Sequence, residues 1–173
     1  LHRPEALRLR EWPAISGLFD ALIYSGLAMT MIGTSSPASG GEHVLSHALD
    51  MLSLRDGTPH DLHGRQVGIG TIFASALYER LFSLRHCSPR EMPDSVDDDF
   101  WGSLAPAVQS QYAGKRERYA LARAYLMQAD ALPRLQAVLA PYLRTPRAIA
   151  DCLARAGAAR FVSDIGCSPE RLH

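Results

Sequence analysis

From Trp12 to Ile32 the chain is apolar almost without interruption, about the length of a membrane span, with Asp20 as its single charged residue. Asp20 sits near the middle, and Ser16, Gly17, Ser25, Gly26 and Thr30 add polar or small positions, so a helix buried in a protein core is expected rather than a bilayer helix. Pro13 suits the first helical turn and Gly33 the end, which predicts a central helix between them. Elsewhere the alternating, β-branched runs that mark strands are missing. The chain therefore reads as all-α, a helical bundle-like domain over residues 1–173.

Composition narrows the function classes. An apolar share of 47% with 21% charged residues fits a soluble globular protein. Eighteen basic residues balance eighteen acidic ones, so no net positive field draws nucleic acid or an anionic membrane, and neither is an expected partner. Cys87, Cys152 and Cys167 are odd in number and lack C-x-x-C spacing, which predicts reduced thiols and a cytoplasmic location. The first residues, Leu1-His2-Arg3-Pro4, carry no methionine and no signal pattern, so a piece of a longer protein is expected.

Residues 34–41 have turn chemistry at nearly every position. Ser39-Gly40-Gly41-Glu42 then fits a capping box, predicting a helix from there to about Leu54 that Arg55-Asp56-Gly57 closes. Thr58-Pro59-His60-Asp61 repeats the start signal, with threonine as cap, and a long helix should follow through Val67, Ile72 and Phe82. Gly64, Gly68 and Gly70 would allow close packing along it. The acidic run 94–99 suits the solvated start of a helix containing Phe100, Trp101 and Leu104. Further helices are predicted over 109–127, 132–143 and 145–156, about seven in all.

Four of the seven histidines, His43, His47, His60 and His63, fall between Gly33 and Thr71. His43 and His47 are one turn apart and share a helix face, as do His60 and His63 on the next helix, and two antiparallel helices can bring those faces together. Imidazole is the commonest transition-metal ligand, and the positive end of a helix keeps His43 neutral and able to ligate. A histidine pair four apart also occurs as a purely structural pair, so spacing alone leaves both readings open. The H-E-x-x-H order of zinc proteases is absent, because Glu42 precedes His43 and Val44 follows it.

Three stretches carry a resemblance: Ser25-Gly26-Leu27-Ala28-Met29, then Gly33-Thr34-Ser35-Ser36-Pro37-Ala38-Ser39-Gly40-Gly41-Glu42-His43-Val44-Leu45-Ser46-His47-Ala48-Leu49-Asp50, then His63-Gly64-Arg65-Gln66-Val67-Gly68-Ile69-Gly70-Thr71. Residues 25–71 resemble the glycerol-1-phosphate dehydrogenases, of the group that includes iron-containing alcohol dehydrogenases, glycerol dehydrogenases and dehydroquinate synthases. Ala156-Gly157-Ala158 and Ile165-Gly166 resemble the last helices of that family.

The resemblance implies the C-terminal helical domain of a two-domain enzyme, its N-terminal NAD(P)-binding domain lying upstream and absent from this chain. It implies a divalent metal, zinc first with nickel or iron as alternatives, held by His43, His63 and an upstream aspartate. His47, one turn beyond His43 and on its face, is then the candidate to hydrogen-bond the substrate or pass its proton, a packed histidine bonding a carbonyl being the alternative. Thr34, Ser35 and Ser39 are hydroxyls in a loop leading to a helix N-terminus, which can cradle a phosphate or carboxylate, so Thr34 and Ser35 are expected on the cofactor side and Ser39 at the substrate, with turn and cap chemistry as the alternative for Ser39; His60 is expected as a surface turn residue. The implied reaction is hydride transfer between NAD or NADP and a small polyol phosphate of the glycerol 1-phosphate and dihydroxyacetone phosphate type, the chain by itself being inactive.

Two positions depart from the family pattern: Ser36 where arginine is usual and Arg65 where glutamate is usual. Losing an arginine near a phosphate-binding loop removes a charge-assisted fork, which opens the exact substrate to question. Two alternatives stand beside the dehydrogenase: a sugar-phosphate cyclase of the dehydroquinate synthase kind, and a non-catalytic helical remnant or interaction domain. The chain holds no G-x-G-x-x-G loop of its own. A homo-oligomer is a further expectation.

Overall fold

A computed structural model describes residues 3–36 and 38–168; Pro37, within the turn-rich loop, lies outside the described residues. The described chain is all-α. Among the described residues eight α-helices follow one another: α1 (Glu5–Arg8), α2 (Trp12–Ile32), α3 (Gly41–Asp56), α4 (His63–Phe82), α5 (Asp98–Trp101), α6 (Ala105–Leu126), α7 (Ala131–Leu139) and α8 (Pro146–Ala156), with short 3-10 helices over Gly102–Leu104 and Val162–Ile165. No strand forms among the described residues. The described residues divide into two compact units: the described parts of Leu1–Leu54, Thr58–Leu77 and Arg144–His173 form one, and Arg55–Gly57 with Tyr78–Leu143 the other.

Helix ends follow local chemistry. Gly33, Gly57 and Gly157 take left-handed conformations after α2, α3 and α8, at φ of 73°, 63° and 78°, where a side chain would strain the backbone. Pro146 opens α8, and the Thr145 hydroxyl accepts the Ala148 N–H at 3.2 Å. Two starts differ from expectation. The cap of α3 falls on Gly40 rather than Ser39, and the Glu42 carboxylate takes the Gly40 N–H at 2.7 Å. Thr58 does not cap α4, which starts five residues further on at His63; its N–H donates to Ser53 O at 2.9 Å and completes the turn that ends α3. The chain then runs without helix to His63.

The first unit has its core where α3 and α4 meet the C-terminal turn: Leu49, Ile69, Ala159, Ile165 and Cys167 are buried together, with Leu45 and Val162 packed against them. Arg155 of α8 pairs with Glu5 of α1 at 2.7 Å. Arg65 of α4 pairs with Asp61 at 2.9 Å and donates to the Asp164 carbonyl. In the second unit Asp97 caps α5 through the Phe100 N–H at 2.9 Å, which gives the acidic run the helix-start role expected of it. Arg116 meets Asp94 at 2.7 Å, Tyr112 bonds Pro93 O at 2.8 Å, and Ala105 and Ala131 are the buried apolar residues of this unit among those described.

The expectation of a buried central helix is overturned. None of α2 is buried, and Phe19, Leu22 and Met31 are 62%, 62% and 77% exposed. By length and composition α2 could also cross a bilayer, with a mean hydropathy of 1.5 over its most apolar window. Its apolar residues are spread around all its faces, so burial needs neighbours on every side, and the described chain supplies too few.

Asp164 ties the C-terminal turn. Its carboxylate accepts the N–H groups of Arg160 at 2.9 Å and Phe161 at 3.0 Å. Those two bonds, helped by the charges of Arg160 and Arg65 against a smaller opposing effect of burial, hold its carboxyl below the ordinary value of 3.8. A lowered folded-state value gives stability that is present above 3.8 and lost as pH falls through the folded value. Acidification below pH 3.8 should therefore cost the wild-type chain more stability than Asp164→Asn, read as the shift in urea midpoint. Parallel midpoint curves for the two would refute this.

Candidate metal centre

Two helix N-termini build the site. As α3 advances, its partners on α4 recede: Glu42 lies against Gly70, Ser46 against Gln66 and His63, and Asp50 against His63. The helices are antiparallel at this crossing. Gly70 permits it, since a Cβ there would stand 2.6 Å from Glu42 O and 2.9 Å from Glu42 Cα. Of the other two glycines expected to allow close packing, Gly68 faces Leu153 at ordinary contact distance and Gly64 faces open space.

Hydrogen bonds at the crossing fix two imidazoles. Ser46 is fully buried and Gln66 nearly so, and the Ser46 hydroxyl donates to Gln66 Oε1 at 2.7 Å. Having one proton, that hydroxyl then accepts from Nδ1–H of His63 at 2.9 Å, which leaves Nε2 of a neutral His63 bare. His43 Nδ1 donates to Glu42 Oε1 at 2.9 Å, freeing its Nε2 in the same way. Burial would raise the Glu42 carboxyl, but the bonds from Gly40 N–H and His43 outweigh it and hold the group below 4.5. Glu42 is thus an anionic anchor for His43.

The rings converge. Centroids of His43 and His63 are 5.1 Å apart, those of His47 and His63 5.5 Å, and those of His43 and His47 6.4 Å. Ligand atoms of His47, Asp50 and His63 all lie within 4.8 Å of one another. Asp50 Oδ1 is buried and accepts no hydrogen bond. His60 Nδ1 approaches it to 3.4 Å, an ion-pair distance without hydrogen-bond geometry, and lies closer to Asp61 O at 3.1 Å. An acceptor left unmet in this way costs about 1–3 kcal/mol. Imidazoles with anchored Nδ1 atoms beside a carboxylate form a donor set that fits a divalent transition metal.

The structure thus brings His43, His47 and His63 together. His60 is exposed in its turn, as expected, yet its ring faces Asp50. Thr34 Oγ1 accepts the Ser36 N–H at 3.2 Å and Ser35 O accepts the Ala38 N–H at 3.0 Å, so these residues shape the loop. Among the described residues no hydrogen bond or ion pair joins Thr34, Ser35 or Ser39 to the histidines. Ser46, Asp50 and Gln66 escaped the sequence reading. Each stands three residues after a histidine, at the i, i+3 spacing that shares a helix face, and that spacing was the available signal.

Known proteins were compared with the chain. A glycerol-1-phosphate dehydrogenase [NAD(P)+] of Geobacillus thermodenitrificans is 40% identical over 87 residues, which is 50% of this chain and 22% of the relative. That of Halalkalibacterium halodurans is 55% identical over 62 residues, 36% of this chain and 16% of the relative. The Pyrococcus horikoshii protein is 49% identical over 74 residues, 43% and 20% of the two chains. The chain carries a glycerol-1-phosphate dehydrogenase-like segment. That segment spans about a fifth of the length of these dehydrogenases. No family model and no solved structure matches the chain.

Proposed function

We propose that this chain is the metal- and substrate-binding part of an NAD(P)-linked dehydrogenase acting on a small polyol phosphate of the glycerol 1-phosphate type. The convergence of His43, His47 and His63 on two antiparallel helix N-termini, with Nδ1 of His43 and His63 anchored, supports this reading. His43 and His63 hold a divalent metal, zinc first, together with a carboxylate from a preceding domain that also carries the main NAD(P) site. When bound, the metal supplies Lewis acidity, stabilising negative charge on an alcohol or carbonyl oxygen.

The chain's own residues do the rest. Glu42 and Ser46 orient the ligand rings and set their tautomers. His47, exposed beside them, hydrogen-bonds the substrate hydroxyl and takes or returns its proton. Thr34, Ser35 and Ser39 offer hydroxyls to the cofactor and the substrate phosphate at the approach to α3. Arg65, where the family has glutamate, is occupied by Asp61 and the Asp164 carbonyl, so its departure serves the fold and leaves the phosphate to the loop. A cytoplasmic setting agrees with the three free cysteines.

The test is nicotinamide absorbance with the longer protein. Consumption of NADH or NADPH with dihydroxyacetone phosphate, yielding glycerol 1-phosphate, is the expected result. Phosphate release and ring closure from a sugar phosphate, without net nicotinamide turnover, would replace the dehydrogenase by a cyclase.

A further inference from the structure

The pair His43 and His63 needs a carboxylate from outside this chain, yet the chain holds a buried carboxylate oxygen without a donor in the same cluster. We propose that His47, Asp50 and His63 form a divalent-cation site of this chain's own, complete without any residue from a preceding domain. Three observations carry it. Their ligand atoms lie within 4.8 Å of one another, and donors around a tetrahedral zinc with bonds near 2.1 Å are about 3.4 Å apart, a difference that side-chain rotation closes. Asp50 Oδ1 has no hydrogen-bond partner, so a cation meets an acceptor that the fold leaves unmet. His63 Nδ1 is held by Ser46, which leaves the Nε2 of a neutral ring bare.

Two imidazoles and one carboxylate are the ligand set of an open zinc site, with the fourth position left to water or a substrate oxygen. His47 and His63 are exposed, so the ion has an entry path, whereas Asp50 is partly buried and closes the inner side. The inference touches the proposed dehydrogenase reading through His63 alone. Because His63 serves both sets, one ion occupies one or the other. The site of this chain is filled when the upstream carboxylate is absent.

Cobalt(II) binding to the 173-residue chain tests this, followed by visible d–d absorption and by zinc competition, with far-ultraviolet circular dichroism to verify the fold of each variant. One cobalt per chain is expected. Asp50→Asn and His47→Gln should each weaken binding tenfold or more. Asp50→Ala serves as a second probe of the carboxylate where Asn perturbs the fold. No stoichiometric cobalt binding by the folded chain would overturn the proposal. So would a loss on His43→Gln with Asp50→Asn and Asp50→Ala unchanged, a result that leaves the His43 and His63 pair standing. No outcome depends on polyol phosphate or nicotinamide, so failure here and failure of the dehydrogenase reading are separate events.

Discussion

Gly70→Ala is expected to destabilise the first unit by about 2 kcal/mol, lowering its Tm by roughly 4 °C or more, and Gly70→Val by more still. In an open helix the same change would stabilise, because alanine outranks glycine there by about 1 kcal/mol. Contact reverses the sign. The new Cβ would meet Glu42 O at 2.6 Å, Glu42 Cα at 2.9 Å and Glu42 C at 3.1 Å, all backbone atoms of the neighbouring helix that have no rotamer to escape into. Relief requires α3 and α4 to part. Parting them separates His43 and Ser46 from His63, so metal affinity should fall along with Tm. Gly64→Ala is the control on the same helix, since its Cβ would enter open space: it should hold or raise Tm and leave metal affinity near wild type. A Gly70→Ala protein with unchanged Tm would mean that the helices do not cross at this distance.

The helices were legible because their punctuation is local. Gly33, Gly57 and Gly157 end helices by supplying positive φ, and Pro146 opens one behind Thr145; a window of four residues contains all the physics needed. Thr58 misled because two local signals competed for it. As the residue after Gly57 it closes α3 through Ser53, and that bond was invisible to a reading that saw only Thr-Pro-His-Asp ahead. The histidine faces were legible for the same reason as the helices, by spacing. The register between α3 and α4 was not. Whether Ser46 reaches His63 and Asp50 joins His47 depends on how far one helix slides along the other, which Gly70 and the buried Ser46 and Gln66 decide across a gap of some twenty residues of sequence.

The exposure of α2 has a different origin. Its composition correctly signals a helix that prefers apolar surroundings, but no sequence pattern says whether those surroundings lie within the same chain. The dehydrogenase-like segment covers about a fifth of its relatives' length, so a helix with apolar residues on every face, in a chain that buries none of them, is consistent with neighbours contributed by the rest of a longer protein.

His63→Ala should have the largest effect on bound metal, about a hundredfold or more, because His63 belongs both to the proposed pair with His43 and to the proposed set containing Asp50. In the longer protein, metal retained after dialysis should fall to background, and the proposed dehydrogenase turnover with it. The fold should survive, since the His63 ring is exposed and Ser46 keeps its bond to Gln66 when the imidazole is gone. Ser46→Ala separates ligation from orientation. It removes the acceptor that fixes Nδ1–H of His63 but leaves the ring, so metal affinity should drop about tenfold to a hundredfold and no further. The two variants therefore should rank in a fixed order, His63→Ala below Ser46→Ala below wild type. Equal metal content in all three would remove His63 as a ligand and with it both proposed donor sets, whatever the nicotinamide assay shows.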